Sequence, residues 1–238
     1  MFRRARTSWS LYLARPMHDE CGHAMIEDVT TLASALRKRV VVADLQFDRL
    51  YPLSQRIRSG FHWTPVDVAL RACELLAPRP GMRVLDVGSG VGKLCLVGAL
   101  STHASWVGIE RDAQMIRVAM RAARQLHVEE HVEFLCGDAT ELDWSSFDAI
   151  YLYNPFAEAL FSRDVDPMSR RERYVQSIER AQELLAATRP GTRIVTYHGF
   201  GGDMPPDADL VHREPARQDQ LCVWIRRASS RTPWQTAS

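Results

Sequence analysis

Three alternating glycines follow directly after a short apolar segment, and they form the part of the chain best suited to bind a ligand. Residues 83–87 predict a buried strand, Gly88, Gly90 and Gly92 follow at once, and residues 94–100 are apolar on most faces, as in a helix packed under a sheet. In a strand–turn–helix unit the backbone can approach a ligand closely, and the N–H groups of the helix favour an anion. The segment therefore predicts a nucleotide-type binding turn.

Two phosphate-binding motifs do not fit this turn. A P-loop requires a glycine six residues before the lysine and a hydroxyl residue after it, but Val87 and Leu94 occupy these positions around Lys93. The dinucleotide fingerprint requires its third glycine at the position of Lys93. The chain instead has an acid, Asp86, two residues before the first glycine, which gives the pattern acidic-x-Gly-x-Gly-x-Gly.

This pattern resembles motif I of the class I, seven-strand methyltransferases that depend on S-adenosylmethionine (SAM). The resemblance extends over about residues 61–227. It implies SAM as the methyl donor, S-adenosylhomocysteine as the product, and a nitrogen or oxygen nucleophile as the acceptor. In the family pattern Asp86 orients the α-amino group of the cofactor. The residues that let the backbone approach the methionine moiety are Gly88, Ser89, Gly90 and Gly92.

The segment before this turn has two interpretations. An aromatic residue followed by Thr64 and Pro65 resembles the loop that covers the methionine end of the cofactor in many of these enzymes. Thr64 is therefore a candidate cofactor-binding residue. Simple helix capping explains the same residues, with Thr64 as the N-cap, Pro65 at the first helical position and Asp67 as the reciprocal acid of a capping box.

Two further acids follow the next predicted strands. Glu110 ends the strand 105–110, where a carboxylate can accept both hydroxyls of a ribose, and we interpret it as the ribose ligand with Arg111 beside it. After the strand 132–136, Gly-Asp-Ala resembles the family's adenine-binding turn. The resemblance implies that Asp138 accepts from the exocyclic amine and that the N–H of Ala139 faces a ring nitrogen.

The fourth predicted strand, 147–153, leads to the expected transfer site. Ligands of doubly wound sheets bind outside the carboxyl ends of the strands. Tyr153 and Asn154 are therefore candidate catalytic residues, and Tyr153 is also a candidate cofactor contact. Amide and adenine methyltransferases carry Asn-Pro-Pro-aromatic here, and the chain departs from that pattern at Phe156 and Ala157. After the fifth strand, His198 is either a candidate base or a histidine satisfied by its neighbours.

The elements that position these residues alternate between strands and helices. Strands at 193–197, 210–214 and 221–226 complete the set, and helical spacing occurs at about 27–42, 44–50, 66–76, 112–126 and 169–188. Asp112 is the expected cap of the fourth of these helices, and Ser169 with Glu172 that of the last. The pattern predicts an α/β fold with a doubly wound, mostly parallel seven-stranded sheet. We expect a helical extension or lid over 1–60, a SAM-binding domain over 61–227 and a solvated tail over 228–238.

Composition restricts the class of protein. The chain has 238 residues, 46% of them hydrophobic. Its net charge of +1 argues neither for nor against binding to nucleic acid. The chain has no apolar run of the 18 residues that a membrane span needs. We expect a monomer or weak dimer.

The cysteines predict a reducing compartment. Five scattered cysteines, mostly within apolar segments, are typical of reduced, buried thiols in a cytoplasmic protein. His18, Cys21 and His23 are close in sequence, but without a second ligand pair they do not predict a metal site.

The acceptor is the least determined part of the prediction. Methyl transfer depends mainly on alignment, worth about 7–11 kcal/mol of barrier, so it leaves little acid–base signature. The glycine turn, Trp-Thr-Pro and Tyr-Asn-Pro-Phe also weakly resemble seven-strand protein-lysine methyltransferases. A protein lysine and a small molecule are both candidate acceptors, and RNA is less favoured because no basic, aromatic-interleaved patch occurs. A SAM-binding regulator without turnover remains an alternative, whereas Lys93 disfavours an NAD-dependent oxidoreductase.

Overall fold

A single seven-stranded sheet organises the structure, a computed structural model that describes residues 28–57, 63–157, 160 and 166–228. Its strands are β1 (Arg83–Val87), β2 (Ser105–Glu110), β3 (Val132–Cys136), β4 (Ala149–Leu152), β5 (Arg193–Tyr197), β6 (Ala208–Ala216) and β7 (Asp219–Arg226). They lie in the order β3-β2-β1-β4-β5-β7-β6. The first five strands are parallel, and β7 is antiparallel to both β5 and β6. The predicted fold class is confirmed.

Helices cover both faces of this sheet. They are α1 (Val29–Arg37), α2 (Asp44–Phe47), α3 (Leu53–Arg56), α4 (Val66–Leu76), α5 (Lys93–Ser101), α6 (Ala113–Leu126) and α7 (Pro167–Ala186). One apolar cluster joins α1, α4, α5 and α6 to one face, and a second joins α7 to the other. Strands covered on both faces are apolar throughout, as β4 is.

Two predicted helix starts were wrong. The backbone N–H of Val66 donates to Asp44 Oδ1 at 2.9 Å, so the cap of α4 comes from a distant carboxylate and not from Thr64. Asp67 forms no capping box and instead pairs with Arg217. The last long helix begins at Pro167 with Asp166 as its cap, earlier than the predicted Ser169–Glu172 box, because Asp166 accepts from two backbone N–H groups of the first turn.

Other predictions differ in detail. Asp112 caps α6 as predicted, through bonds from the N–H groups of Gln114 and Met115. Met120 and Val175, which helical spacing assigned to buried stripes, are each 44% exposed. Cys73 and Cys95 are buried as expected, but Cys136 is exposed. Outside the described residues lie the boundary between 60 and 61, the tail after 228, His18, Cys21 and His23.

Within the described residues the N-terminal segment is part of the core. Leu36, Phe47 and Tyr51 are buried in the same apolar cluster as Val66 and Leu94. No helix in the described part of the chain is long and apolar enough to cross a membrane. In the same residues, no group of three or more His, Cys, Asp or Glu side chains is arranged to hold a metal ion.

A buried ion cluster fixes this segment to the glycine turn. Lys93, the first residue of α5, is only 3% exposed, and its Nζ donates to Asp44 Oδ1 at 2.7 Å and to Asp48 Oδ1 at 2.9 Å. The ammonium also lies 5.5 Å from the ring centroid of Phe47 and 6.0 Å from that of Trp63. Asp48 is 3% exposed, so one carboxylate of the cluster is as deeply buried as its cation.

Replacing Lys93 tests the contribution of this cluster. Lys93→Met leaves the buried carboxylates without their cation, so we expect the free energy of unfolding to fall by about 3–5 kcal/mol. Arg180→Ala removes the exposed Arg180–Glu183 pair and serves as the matched control, with an expected loss below about 1 kcal/mol. Urea denaturation of both variants measures these values. Equal losses in the two variants would contradict the special role of the Lys93 cluster.

Candidate functional site

A cleft of about 380 Å³ opens at the carboxyl ends of β1 and β4. This volume includes space that is open to solvent at the mouth of the cleft. Of the predicted site residues, six line it: Thr64, Asp86, Gly88, Ser89, Gly90 and Tyr153. The other lining residues are Trp63, Val87, Val91, Lys93, Leu94 and Tyr151.

The glycine turn is held by bonds within the protein. The N–H groups of Gly88 and Ser89 both donate to Ile109 O at 3.0 Å, and that of Gly92 donates to Ser89 O at 2.8 Å. Gly90 N donates to Glu110 Oε2 at 3.1 Å. These four amides already have acceptors within the protein. The turn therefore lets a ligand come close to the backbone but offers it few free N–H donors at these positions.

The glycines of this turn have different roles. Gly92 has φ +76°, and a Cβ there would lie 2.5 Å from the ring of Phe134 on β3. A Cβ on Gly88 (φ +72°) would lie 3.1 Å from Pro155 Cβ, which follows β4. Gly92 does not line the cleft, so the structure gives this predicted cofactor-binding residue a packing role.

Asp86 is the most perturbed acid of the cleft. Its side chain is buried, and Cys95 Sγ donates to its Oδ2 at 3.6 Å. Burial raises the pKa of Asp86 to about 7, the Cys95 thiol partly opposes this shift, and the charge of Glu110 adds to it. A carboxyl that is half protonated near neutrality and lies in a cleft is ionised further by an incoming cation.

Two more features describe what the cleft can hold. Ser89 Oγ is buried against the cleft and has no hydrogen-bond partner among the described residues, whereas buried polar groups are normally bonded. Lys93 also lines the cleft, but its ammonium is bonded to Asp44 and Asp48. Lys93 is therefore already paired, whereas the carboxyl of Asp86 is bonded only to a thiol in the part of the chain that the structure describes, and these two features suit a ligand that carries positive charge and offers a partner to a hydroxyl.

Glu110 connects the glycine turn to the next helix. Its Oε2 accepts from Gly90 N at 3.1 Å, and its Oε1 accepts from Asp112 N at 2.9 Å. Glu110 is the last residue of β2, and a carboxylate there is the kind of acceptor that ribose hydroxyls can use. The geometry is compatible with the predicted ribose contact.

Arg111, Asp138 and Ala139 follow along the same edge of the sheet. Arg111 Nη2 donates to Asp138 Oδ2 at 2.7 Å, while Asp138 Oδ1 accepts from both the N–H and the hydroxyl of Thr140. Burial raises the pKa of Asp138, but the bonds from Thr140 and the Arg111 charge outweigh it, so the net shift is downward. Ala139 is buried, and its carbonyl accepts from Trp144 Nε1 at 2.9 Å.

The predicted catalytic residues meet at the ends of β4 and β5. Asn154 N donates to Gly199 O at 2.8 Å, which ties the two strand ends together. The His198 ring stacks on Tyr153 at 5.4 Å between centroids with an interplanar angle of 26°. Tyr197 contacts both rings, at 5.0 Å from Tyr153 and 4.4 Å from His198. Asn154 and His198 do not themselves line the cleft, and Tyr153 connects them to it.

Sequence reasoning missed several residues of this site. Thr64 Oγ1 lies 3.0 Å from the buried hydroxyl of Tyr151, so the predicted cap is instead a bond across the cleft wall. His198 Nδ1 lies 2.5 Å from Asp219 Oδ2, on β7. Asp44 and Asp48 have i,i+4 spacing in a predicted helical segment, a signal that both face one side, but nothing in the sequence identified Lys93 as their partner.

Known methyltransferases resemble this chain in sequence. The family model described as "Methyltransferase domain" matches residues 78–197. A 24-methylenesterol C-methyltransferase 2 from Oryza sativa subsp. japonica is 31% identical over 149 residues, 60% of this chain and 37% of that protein. A 23S rRNA (uracil(1939)-C(5))-methyltransferase from Psychrobacter arcticus is 28% identical over 189 residues, 72% of this chain and 35% of that protein.

A solved structure shows the same fold. An O-methyltransferase family 2 protein from Planctomyces limnophilus, in complex with apigenin, has a TM-score of 0.52 and 18% identity, covering 82% of this chain and 65% of that chain. At this identity the likeness concerns the fold alone. The chain spans about a third of the length of the two curated relatives described above.

The raised pKa of Asp86 predicts a specific pH dependence of stability. Between the ordinary pKa of 3.8 and about 7, the folded protein holds the Asp86 proton and the unfolded chain does not. The free energy of unfolding should therefore fall as pH rises through this window, by up to about 1.4 kcal/mol per pH unit from this group, and level off above it. Asp86→Asn removes this contribution and leaves the other titrating groups in place. Urea denaturation of both proteins at pH 5, 6, 7 and 8 measures the difference, and parallel profiles would contradict the assignment.

Proposed function

The chain belongs to the methyltransferase domain family, and from this premise we propose that it binds SAM in the cleft at the ends of β1 and β4. We further propose that it transfers the methyl group to a nitrogen or oxygen nucleophile and releases S-adenosylhomocysteine. The observation that carries the proposal is the charge of the cleft lining, in which the carboxyl of Asp86 is buried and the ammonium of Lys93 is already bonded to Asp44 and Asp48.

This charge distribution distinguishes between cofactor classes. SAM carries a sulfonium and an α-ammonium, and both cations gain from nearby carboxylates in a partly desolvated site. NAD and ATP carry several phosphate charges, which need free cations or amide donors. Here the Lys93 ammonium is bonded to Asp44 and Asp48, and the amides of Gly88 to Gly90 are bonded within the protein.

Each cofactor-binding residue then has a defined task. Asp86 pairs with the α-ammonium. Ser89 Oγ donates to the carboxylate of the methionine moiety, which gives a partner to a buried hydroxyl that has none among the described residues. Glu110, at the end of β2, accepts the ribose hydroxyls. Asp138, beside Arg111, faces the adenine amine, and the backbone of Ala139 faces the ring.

Methyl transfer itself asks little acid–base chemistry of the protein. When bound, SAM supplies a carbon that its positive sulfur has already activated for displacement. The chain contributes alignment and exclusion of water. Trp63, Thr64 and Tyr151 are buried in the cleft wall, and their packing keeps this region dry.

The acceptor is proposed only as a class. The two curated relatives are named for action on a sterol and on ribosomal RNA, so membership of the family does not identify this chain's acceptor. A protein lysine or a small molecule carrying nitrogen or oxygen fits the half-buried Tyr153 and the aromatic residues beside it, which offer apolar faces next to the cleft.

The first experiment tests the cofactor and the transfer separately. In a thermal-shift and calorimetry panel, SAM and S-adenosylhomocysteine should stabilise the protein, by about 2.7 kcal/mol at 100 times the dissociation constant, while NAD and ATP should not. SAM with a labelled methyl group is then incubated with the protein and cell extract, which is separated into protein, RNA and small-molecule fractions. Binding without label in any fraction would favour a regulator without turnover, and stabilisation by NAD alone would overturn the cofactor proposal.

Changing both the residue and the ligand group tests the ribose contact of Glu110. Wild-type protein should bind S-adenosylhomocysteine more than about tenfold more tightly than its 2′,3′-dideoxy analogue, because charge-assisted hydrogen bonds are lost. In Glu110→Ala this ratio should approach one, even though the variant also loses its bonds to Gly90 and Asp112. Glu133→Ala, at an exposed site that does not line the cleft, is the control and should keep the wild-type ratio. An unchanged ratio in Glu110→Ala would remove Glu110 from the ribose site.

A further inference from the structure

We propose that His198 and Asp219, together with the rings of Tyr153 and Tyr197, form the acceptor subsite, and that its substrate is an amine that arrives protonated. In this subsite His198 removes the proton of the amine and Asp219 positions His198. The inference rests on the proposed function, since it names the acceptor class of the same site.

The contact between His198 and Asp219 defines the state of the imidazole. Nδ1 of His198 lies 2.5 Å from Oδ2 of Asp219, so Nδ1 carries the proton and donates it to the carboxylate. In the neutral imidazole Nε2 then has the lone pair, which is the arrangement of a general base oriented by a third group. The other oxygen of Asp219 accepts from Gln220 N at 2.7 Å, and this bond orients the carboxylate.

The backbone holds this histidine in place. His198 has φ +58°, a left-handed conformation that is uncommon for a side chain of this size and that concentrates at functional sites. The next residue, Gly199, accepts from Asn154 N, so the end of β5 is tied to the residue that follows Tyr153. The imidazole is stacked on Tyr153, which lines the cleft, and the proposed base is thereby one ring away from the cofactor site.

The surroundings favour a cationic acceptor. Tyr153 lines the cleft with the ring of Tyr197 packed beside it, and aromatic rings attract ammonium groups. Burial raises the pKa of Tyr153, with smaller contributions from Tyr197 and Asp219, so its hydroxyl stays neutral. Around Tyr197 the charges are those of Arg217, Asp219 and Asp67. Since Arg217 also pairs with Asp44, carboxylates exceed guanidinium at this mouth of the cleft, which favours an amine over a neutral hydroxyl.

The chemical step balances within these groups. An alkylammonium, with a pKa of about 10, cannot attack until it loses a proton. Nε2 of His198 takes that proton, and the freed nitrogen lone pair forms the new N–C bond to the methyl carbon. The C–S bond breaks as the N–C bond forms, and its electron pair stays on sulfur. The products are the methylated amine as an ammonium cation, S-adenosylhomocysteine and a protonated His198, which releases its proton to solvent.

Histidine tautomers test the dyad without any turnover. In spectra of ¹⁵N-histidine-labelled protein, His198 should show the Nδ1–H tautomer, and in Asp219→Asn it should shift toward Nε2–H, which dominates in free imidazole side chains. His198→Asn assigns the signal, and asparagine is chosen because it tolerates the left-handed backbone. An Nε2–H tautomer in the wild-type protein would overturn the base assignment.

Binding of acceptor-mimicking probes tests the subsite. The probes are analogues of S-adenosylhomocysteine with nitrogen in place of sulfur and a three-carbon chain that ends in either an amine or a methyl group. Wild-type protein should prefer the amine-ended probe by about tenfold or more, and the preference should fall below about threefold in both Asp219→Asn and His198→Asn. S-adenosylhomocysteine should bind all three proteins equally.

The outcomes separate the two proposals. Equal binding of the two probes by the wild-type protein, or a preference that survives in both variants, would overturn the amine subsite while the SAM site stands. Failure of the wild-type protein to bind S-adenosylhomocysteine at all would overturn the proposed function, and the subsite with it.

Discussion

The buried ammonium of Lys93 is the constraint on which the arrangement of the site depends. It holds Asp44 and Asp48 against the first turn of α5, and Asp44 in turn accepts from Val66 N and pairs with Arg217. One carboxylate thus joins the N-terminal segment, α4, the glycine turn and the β6–β7 hairpin. Buried charges make such a junction specific, because any other arrangement leaves one of them unpaired in a medium of low polarity.

The same constraint determines the electrostatics of the cleft. Lys93 is placed where a phosphate-binding loop would use a lysine for its ligand, yet two aspartates already take its donors. Asp86 is then left among apolar groups and a thiol, and its pKa is high because burial penalises the charged form. A cationic ligand reverses that penalty. The carboxyl of Asp86 therefore favours a compound that carries a sulfonium and an ammonium over a polyphosphate.

Much of the fold could be predicted from the sequence because its signals are local. The strand 193–197, the Asp112 cap and the glycine turn each depend on neighbouring residues, and each was predicted. The failures depend on partners far along the chain. Asp44, and not Thr64, accepts the N–H of Val66 at the start of α4. A side chain at position 92 would collide with the ring of Phe134 on another strand. No local sequence pattern encodes either contact.

Asp219 shows why the antiparallel strand matters for chemistry. Parallel strands place only their last residues at the cofactor edge, as Glu110 is placed by β2. Because β7 runs against β5, the first residue of β7 lies at that edge, with Leu221 paired to Tyr197 and Asp219 beyond it. The antiparallel direction of β7 thus brings the carboxylate of Asp219 to His198. The first residue of a parallel strand would lie at the opposite edge of the sheet. An acid at the beginning of β7 is a residue that reasoning from strand ends alone overlooks, and the sheet topology explains its contact with the proposed acceptor site.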